Sequence, residues 1–196
     1  MPLYDLADPT VPLPGQLVAD TSLLLALRTG DDNPHAAAAF RFIARLGQAI
    51  ANRSLILWLP TAVRQECYHI ILSHALRRIW AALDPATRPA NWLAAYKRQP
   101  ALLASGFADL ATFDEILASI PVTPASSLPP DMLRGEQSPD SLMLHFITAY
   151  HLLPQDALIL AECSRLGVTA VATLDSDWRR VTEFDVYTVL PSLPVA

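Results

Sequence analysis

The segment that most constrains the fold is residues 168–178, VTAVATLDSDW. Its first seven residues are apolar or β-branched, a composition that is typical of a strand buried in a sheet. Two carboxylates, Asp175 and Asp177, follow at once. In open α/β sheets, ligands bind beyond the carboxyl ends of the parallel strands. The segment therefore predicts an α/β fold with an acidic site at one edge of its sheet.

The order of segments extends this prediction to all 196 residues. Strand-like segments alternate with helical ones, which is typical of a mostly parallel sheet covered by helices on both faces. The predicted strands are residues 15–19, 55–59, 120–124, 168–174 and 185–190. The predicted helices are residues 23–30, 35–51, 61–83, one or two within 86–117, 138–151 and 153–167, with a helical turn at 178–181. We expect a three-layer α/β/α fold with a mostly parallel central sheet.

The remaining segments define the limits of the predicted domain. Residues 1–14 contain four prolines and no helix or strand period, so we expect an extended N-terminal arm. Residues 15–190 are expected to form a single domain, with 191–196 as a tail. The sequence Asp-Asn-Pro within residues 31–34 predicts a turn and the N-cap of the second helix. Residues 121–139, rich in Pro and Ser, predict a long loop.

Composition narrows the class of protein. The chain is 52% hydrophobic and 17% charged, so it can bury a sizeable core and does not resemble a disordered chain. No apolar run reaches the roughly 18 residues of a membrane span, and the N-terminus lacks the layout of a signal peptide. Cys67 and Cys163 have neither disulfide-framework nor zinc-site spacing. We therefore expect a cytoplasmic protein with no membrane partner.

Further acids accompany the predicted strands. Asp20 follows the first strand, Glu66 lies on the helix after the second, and Asp156 lies in the first turn of a later helix. Each has an ordinary structural interpretation: Asp20 as an N-cap, Glu66 as a solvated residue, and Asp156 as an acid favoured by the helix dipole. Asp175 and Asp177 are harder to explain, because two acids on one tight turn repel each other unless a cation or donors compensate them.

The joint pattern of these acids predicts a metal site. All of them can converge at the C-terminal edge of one parallel sheet, and several carboxylates in one cleft bind hard divalent ions such as Mg²⁺ or Mn²⁺. Such ions activate water and hold a phosphate for in-line displacement. The net charge of −5 argues against a nucleic-acid partner on its face. However, without the five candidate acids the chain has 14 acids and 14 bases, and bound cations would reverse the local field.

The acidic segments resemble those of a known family. The sequences LVADTS at 17–22, the helix of Glu66, LPQDALILA at 153–161 and VATLDSDW at 171–178 are similar, in this order, to the acidic motifs of PIN-domain ribonucleases. The resemblance runs from about residue 15 to residue 190. The last two motifs are specific together, the first is common, and Glu66 is placed mainly by its position.

The resemblance implies a three-layer PIN-like fold and Mg²⁺- or Mn²⁺-dependent endonucleolytic cleavage of RNA. Asp20, Glu66, Asp156 and Asp175 would then be the catalytic metal carboxylates, with Asp177 supporting or replacing Asp175. It further implies a role as the VapC-like toxin of a type II toxin–antitoxin pair, with an antitoxin protein as partner. A homodimer is a further expected assembly.

Two hydroxyl residues lie beside the predicted acids. Thr173, two residues before Asp175, and Ser22, beside Asp20, would position a metal water or the phosphate. Hydroxyls at such places also act as caps or turn bonds, and the sequence leaves both interpretations open.

The chain is longer than small toxins of this family, mainly between residues 73 and 139. We expect a helical insertion there, as a clamp, a dimerisation surface or a lid. Its basic and aromatic residues, among them Lys97 and Arg98, suit single-stranded RNA, although helix-spaced aromatics also form cores. Arg179 and Arg180, just after the acid pair, are further candidates for phosphate contact or ordinary surface residues.

Other functions fit less well. A phosphoryl-accepting receiver domain needs a late lysine, and the single lysine is Lys97. A haloacid-dehalogenase-type phosphatase needs an acid two residues after its first aspartate, where Ser22 stands. Glu162 is interpreted as a surface residue on another face of its helix than Asp156. The alternative that stays open is a catalytically inactive PIN-like module that serves as a binding or scaffold protein.

Overall fold

A computed structural model describes residues 2–28, 34–125 and 138–190. Within these ranges the chain forms six strands and seven α-helices. The strands are β1 (Leu3–Asp5), β2 (Gln16–Ala19), β3 (Ile56–Leu59), β4 (Thr123–Pro124), β5 (Ala170–Ala172) and β6 (Asp185–Thr188). The helices are α1 (Thr21–Leu25), α2 (Ala36–Ala51), α3 (Thr61–Ala82), α4 (Trp92–Arg98), α5 (Phe107–Ser119), α6 (Pro139–Tyr150) and α7 (Pro154–Leu166). The segments Pro100–Gly106 and Ser176–Arg180 are 3₁₀-helical.

All six strands are parallel, in the order β1-β6-β5-β2-β3-β4. The predicted α/β class and the three-layer α/β/α arrangement are confirmed. The chain passes from β2 to β3 and β4 on one side of the sheet, whereas β5 and β6 lie on the other side of β2. Where the connections that follow two neighbouring parallel strands run to opposite sides of the sheet, a crevice forms at the carboxyl ends of those strands. Ligands bind in this crevice in open α/β sheets. Here that crevice lies between β2 and β5.

The central strands are buried by helices on both faces. Val18 and Val171, which pair across β2 and β5, are fully buried, as are Leu17 and Val186. Parallel strands covered on both faces are expected to be apolar throughout rather than alternating. The apolar runs around residues 17–19 and 170–172 therefore form strands for the reason that the sequence indicated. Within the described ranges, no helix is both long and apolar enough to cross a bilayer.

The N-terminal segment contributes to the sheet. Residues 1–14 were expected to be an extended arm, but Leu3–Asp5 pairs with β6 as an edge strand, with Leu3 opposite Val186. Tyr4 stacks on Tyr187 with ring centroids 4.7 Å apart. Three residues are too few to show a strand period in a sequence, so only the pairing partner reveals this strand.

Helix boundaries follow the predicted capping residues closely. Ser138 caps α6 by accepting from the backbone N–H of Ser141, and α7 ends at Gly167, whose φ of 69° is a left-handed conformation suited to glycine. By contrast, α1 ends at Leu25 rather than near residue 30. The backbone N–H of Arg28 donates to the carbonyl of Leu25, a 3₁₀-type bond that tightens the last turn. The predicted turn at 31–33 lies outside the described residues, whereas the N-cap of α2 is His35 rather than a residue of that turn, and its side chain makes no capping hydrogen bond.

The predicted insertion after residue 73 comprises the second half of α3 and the helical elements that follow it. These elements are α4, the segment Pro100–Gly106 and α5, and they pack against α3. A Cβ atom at Gly106 would lie 2.8 Å from Leu72 Cδ2 and 3.2 Å from Ala75 Cβ, so glycine allows the backbone to approach α3 closely. The Tyr68 hydroxyl donates to Asp114 over 2.6 Å and attaches α5 to the same helix. Most of the predicted loop 121–139 lies outside the described residues.

Candidate active site

A pocket of about 420 Å³ lies at the carboxyl edge of the sheet. Four of the predicted acids line it, and each comes from a different segment of the chain: Asp20, Glu66, Asp156 and Asp175. Asp20 follows β2 and Asp175 follows β5, the two strands that flank the crevice. Glu66 enters from α3 and Asp156 from the first turn of α7. The fold therefore brings together the four carboxylates that the sequence analysis selected.

Asp20 is the most buried of these acids, with 3% of its surface exposed. It is the N-cap of α1, as its position predicted, and its Oδ2 accepts hydrogen bonds from the Ser22 hydroxyl at 2.8 Å and the Thr173 hydroxyl at 2.7 Å. Its second oxygen, Oδ1, is buried and has no hydrogen-bond partner in the described parts of the chain. A buried carboxylate oxygen without a partner is costly, so this atom is available to accept a donor or to bind a cation.

Burial and mutual repulsion oppose the charge on these acids. Burial raises the pKa of Asp20, although the hydroxyls of Thr173 and Ser22 partly offset this by donating to it. Burial is also the main cause that raises the pKa of Glu66, with repulsion from Asp20 adding to it. For Asp156, burial and then the charges of Asp20 and Glu66 raise the pKa to about 7. A cluster whose charged form is disfavoured in this way is suited to binding a cation.

The position of Glu66, which the sequence supported only weakly, is explained by its neighbours. The Thr21 hydroxyl donates to Glu66 Oε2 over 2.6 Å, so the first residue of α1 orients a side chain of α3. The backbone of α3 starts directly after β3, which places its second turn above the edge of the sheet. Glu66 is therefore half-buried and lines the pocket rather than being a solvated helix residue.

Asp177 does not line this pocket, and its role as a metal ligand that supports or replaces Asp175 stays a prediction. Asp175 Oδ1 accepts from the backbone N–H of Asp177 over 2.8 Å, so Asp175 caps the 3₁₀ segment that contains Asp177. Asp177 itself is half exposed and forms an ion pair with Arg180 at 3.2 Å. The spare acid of the pair is thus compensated by a neighbouring guanidinium, and the pocket receives Asp175 alone.

Ser22 and Thr173 form hydrogen bonds that orient the acids. Their hydroxyl oxygens are 3.1 Å apart, and Ser22 Oγ also accepts from the backbone N–H of Leu174. Thr173 is fully buried, and its Oγ1 accepts from the backbone N–H of Asp175 over 3.0 Å. Thr173 therefore cannot contact a phosphate in this conformation, and its bonds fit the second of the two interpretations left open, a residue that positions Asp20 and Asp175. Ser22 lines the pocket but makes the same kind of internal bonds.

The four basic residues predicted to contact RNA do not line the pocket. Arg179 donates to the carbonyl of Val189 over 2.7 Å, and Arg180 donates to Asp177 and to the carbonyl of His151. Lys97 and Arg98 are exposed in the last turn of α4, on the segment that packs against α3. Arg179 and Arg180 thus make their contacts within the protein. None of the four basic residues is among those that line the pocket with its four acids.

The aromatic residues of the same segment also have internal partners. The guanidinium of Arg77 lies 5.6 Å from the ring centre of Trp92, and that of Arg88 lies 5.0 Å from the ring centre of Trp80. The indole N–H of Trp80 donates to the carbonyl of Pro89 over 2.8 Å. Part of the basic and aromatic pattern thus makes cation–π and hydrogen-bond contacts within the fold, and contact of this segment with RNA stays a prediction.

Three further residues near the site were missed or misplaced by the sequence analysis. Glu162 is partly buried rather than a free surface residue, and its Oε2 accepts from the backbone N–H of Ala62 at the start of α3, over 3.2 Å. This helix begins after Pro60, whose side chain cannot cap it. Arg28 and His74 line the acidic pocket. The available signal was spacing, since His74 follows Glu66 by eight residues on one helix.

The donor set of the pocket fits a hard divalent cation. All four acids offer oxygen, which Mg²⁺ and Mn²⁺ prefer, and the unpartnered Oδ1 of Asp20 is a ready donor. Within the described ranges, no three His, Cys, Asp or Glu side chains lie close enough together to hold a metal ion as they stand. Uncompensated carboxylates repel one another, and hydroxyls hold Asp20 and Glu66. Binding would therefore require these side chains to draw together.

Comparison with known proteins adds no family to this description. No family model matches the sequence, and no curated protein is significantly similar to it. The resemblance to PIN-domain ribonucleases thus depends on the acidic motifs. The convergence of those motifs on one pocket is a separate observation that supports giving them a common role.

Proposed function

We propose that this protein is a divalent-metal-dependent endoribonuclease with a PIN-like active site. The observation that carries the proposal is the set of four carboxylates from four segments that line one pocket, with Asp20 Oδ1 buried and unpartnered. Hydroxyl or backbone donors reach Asp20, Glu66 and Asp175, but such hydrogen bonds do not neutralise the negative charge of a carboxylate cluster. Here no Lys or Arg of the described residues forms an ion pair with any of the four.

The chain's own residues would bind and orient the ion. Asp20 is held by Ser22 and Thr173 through Oδ2, which leaves Oδ1 for the ion. Glu66 is oriented by Thr21 through Oε2, and Asp175 by the turn that it caps. Asp156 would lose its proton as the ion binds. When bound, Mg²⁺ or Mn²⁺ would supply an activated water and would stabilise charge on the phosphate and the leaving oxygen.

RNA is the proposed substrate because the acidic motifs resemble those of ribonucleases. A role as the toxin of a toxin–antitoxin pair, with an antitoxin partner, belongs to the same proposal and follows from the resemblance alone. A cytoplasmic location and a homodimer also belong to it, and they follow from the composition of the chain. Co-expression with the protein encoded by a neighbouring gene would test the antitoxin. Sedimentation of the purified chain would test the dimer.

The central experiment measures cleavage of a mixed structured RNA with Mg²⁺, Mn²⁺ or EDTA, together with Mn²⁺ binding by calorimetry. We expect metal-dependent cutting that Asp20→Asn and Asp175→Asn abolish. Asp140→Asn is a matched control for Asp156→Asn, because Asp140 is also an acid in the first turn of a helix but is exposed and outside the pocket. Cutting that survives the site substitutions would contradict the proposal.

The alternative from the sequence analysis, an inactive PIN-like binding module, predicts a different result. Such a module would neither cut RNA nor bind Mn²⁺ in the calorimeter. Mn²⁺ binding that depends on Asp20 but gives no RNA cleavage would support a metal site with another phosphodiester substrate. The two measurements together therefore separate a wrong substrate from a wrong site.

A further inference from the structure

Two basic side chains, Arg28 and His74, also line the acidic pocket. α1 and α3 both begin at the carboxyl edge of the sheet, after the neighbouring strands β2 and β3, and the pocket is lined by residues of both. On α3 the lining residues are Glu66, Ile70 and His74, which share a face at intervals of four. At 1.5 Å per residue, His74 lies about 12 Å along the helix from Glu66. Arg28, which follows α1 after one further turn, also lines the pocket.

Apolar lining residues come between the acids and the basic residues along both segments. Leu25 and Ala26 precede Arg28 after Asp20 in the chain, and Ile70 lies between Glu66 and His74 on α3. The lining therefore combines carboxylate, aliphatic, guanidinium and imidazole groups. A nucleotide has a matching set of chemical groups, since charged phosphates alternate with a sugar and base that pack against apolar or planar surfaces.

Neither basic side chain has a partner within the described parts of the chain. Arg28 forms no ion pair with Asp20, Glu66 or any other acid there, and its guanidinium makes no hydrogen bond to them. The His74 ring is likewise without a hydrogen bond or an ion pair and is exposed. Hydroxyls rather than basic groups hold Asp20 and Glu66, so Arg28 and His74 remain available to an external anion.

We propose that Arg28 and His74 bind a backbone phosphate of the RNA that flanks the scissile phosphate. This inference rests on the proposed function, because the scissile phosphate is placed at the four carboxylates. A guanidinium offers a fork of donors that suits phosphate oxygens, and an imidazole N–H adds a further donor. By binding this phosphate, the pair would set the direction in which the RNA strand leaves the four carboxylates.

The first test uses binding without cleavage. Fluorescence anisotropy would follow a labelled 2′-O-methyl RNA oligonucleotide on the wild type, Arg28→Gln and His74→Gln, with Ca²⁺ in place of Mn²⁺, over a range of salt. We expect affinity to fall about tenfold for Arg28→Gln and about threefold for His74→Gln. The slope of log K against log salt should decrease by about 0.7 for one lost phosphate contact on a single strand. Arg53→Gln is the control, since Arg53 is exposed and precedes β3 at the opposite edge of the sheet.

The second test locates the phosphate. Neutral methylphosphonate linkages are placed one at a time along the oligonucleotide, and each is combined with Arg28→Gln in a double-mutant cycle. One linkage should weaken wild-type binding and have no effect on Arg28→Gln. Additive losses at every linkage, or equal affinities and salt slopes for all variants, would overturn the subsite.

The outcome is distinguishable from failure of the proposed function. If the wild type cuts RNA with Mn²⁺ and Arg28→Gln retains full affinity and cutting, the subsite is wrong and the nuclease assignment stands. If the wild type binds the oligonucleotide through Arg28 but never cuts RNA, the subsite stands and the catalytic assignment is wrong. A wild type that binds no RNA overturns both.

Discussion

The hydroxyl of Thr173, just after β5, donates a 2.7 Å hydrogen bond to Oδ2 of Asp20, at the end of β2. This bond joins the two strands that flank the crevice at the point where the acids meet. It also fixes which oxygen of Asp20 is occupied and which is left without a partner. The internal hydroxyl network is therefore what orients the most buried acid of the site.

Thr173→Val should weaken both the fold and the site. Valine has nearly the shape of threonine but removes the donor to Asp20 and the acceptor for the Asp175 backbone N–H. We expect the free energy of unfolding in urea to fall by about 1–3 kcal/mol. Thr173→Ser should retain most of the stability. Equal stability of the valine variant and the wild type would show that the bond does not contribute.

Asp156 should make the metal-free protein less stable as pH rises. Its pKa is raised from an ordinary 3.8 to about 7 by burial and by the neighbouring charges of Asp20 and Glu66. The folded state therefore binds this proton more tightly than the unfolded state does, and its contribution is fully present below about pH 4 and is lost as pH rises through about 7. Thermal unfolding in EDTA between pH 5 and pH 8 measures this loss. Asp156→Asn should flatten the dependence, and Asp140→Asn should not.

Asp20→Asn should separate stability from metal binding. Burial disfavours the carboxylate of Asp20, so we expect the metal-free variant to be at least as stable as the wild type. In the wild type, Mn²⁺ at 100 times its Kd should add about 2.7 kcal/mol to the free energy of unfolding. The variant should lose this gain. An equal gain in the variant would place the ion elsewhere.

Asp175 and Asp177 should behave differently despite their spacing of two residues. Asp175 lines the pocket, whereas Asp177 pairs with Arg180 on the surface. We expect Asp175→Asn to reduce Mn²⁺ affinity at least tenfold in calorimetry, because a ligand is removed from the site. Asp177→Asn should change it less than threefold. The reverse order of effects would show that the turn rearranges on metal binding.

Glu162 should contribute to stability without contributing to the reaction. It accepts from the backbone N–H of Ala62 at the start of α3, where no N-cap side chain is available. Glu162→Ala should therefore lower the free energy of unfolding by about 1 kcal/mol, the usual effect of losing a cap. Glu162→Gln keeps an acceptor and should lose less. RNA cleavage measured below the unfolding range should be the same in all three proteins.

The sequence by itself determined the elements and the acids that adjoin them. Apolar β-branched runs, capping residues such as Ser138 and Gly167, and acids at strand ends are local signals, because they depend on backbone conformation and on immediate neighbours. For this reason the α/β class, the helix boundaries of α6 and α7, and the places of Asp20, Asp156 and Asp175 could be predicted.

Only the tertiary structure decided which side chains share the pocket. Glu66 enters it because Thr21 of α1 lies beside α3 and donates a hydrogen bond to it. The edge strand Leu3–Asp5 and the contact of Glu162 with Ala62 depend on partners more than 90 residues away in the chain. Contacts of this kind are set by strand order and by how helices cross the sheet, and no local pattern records either.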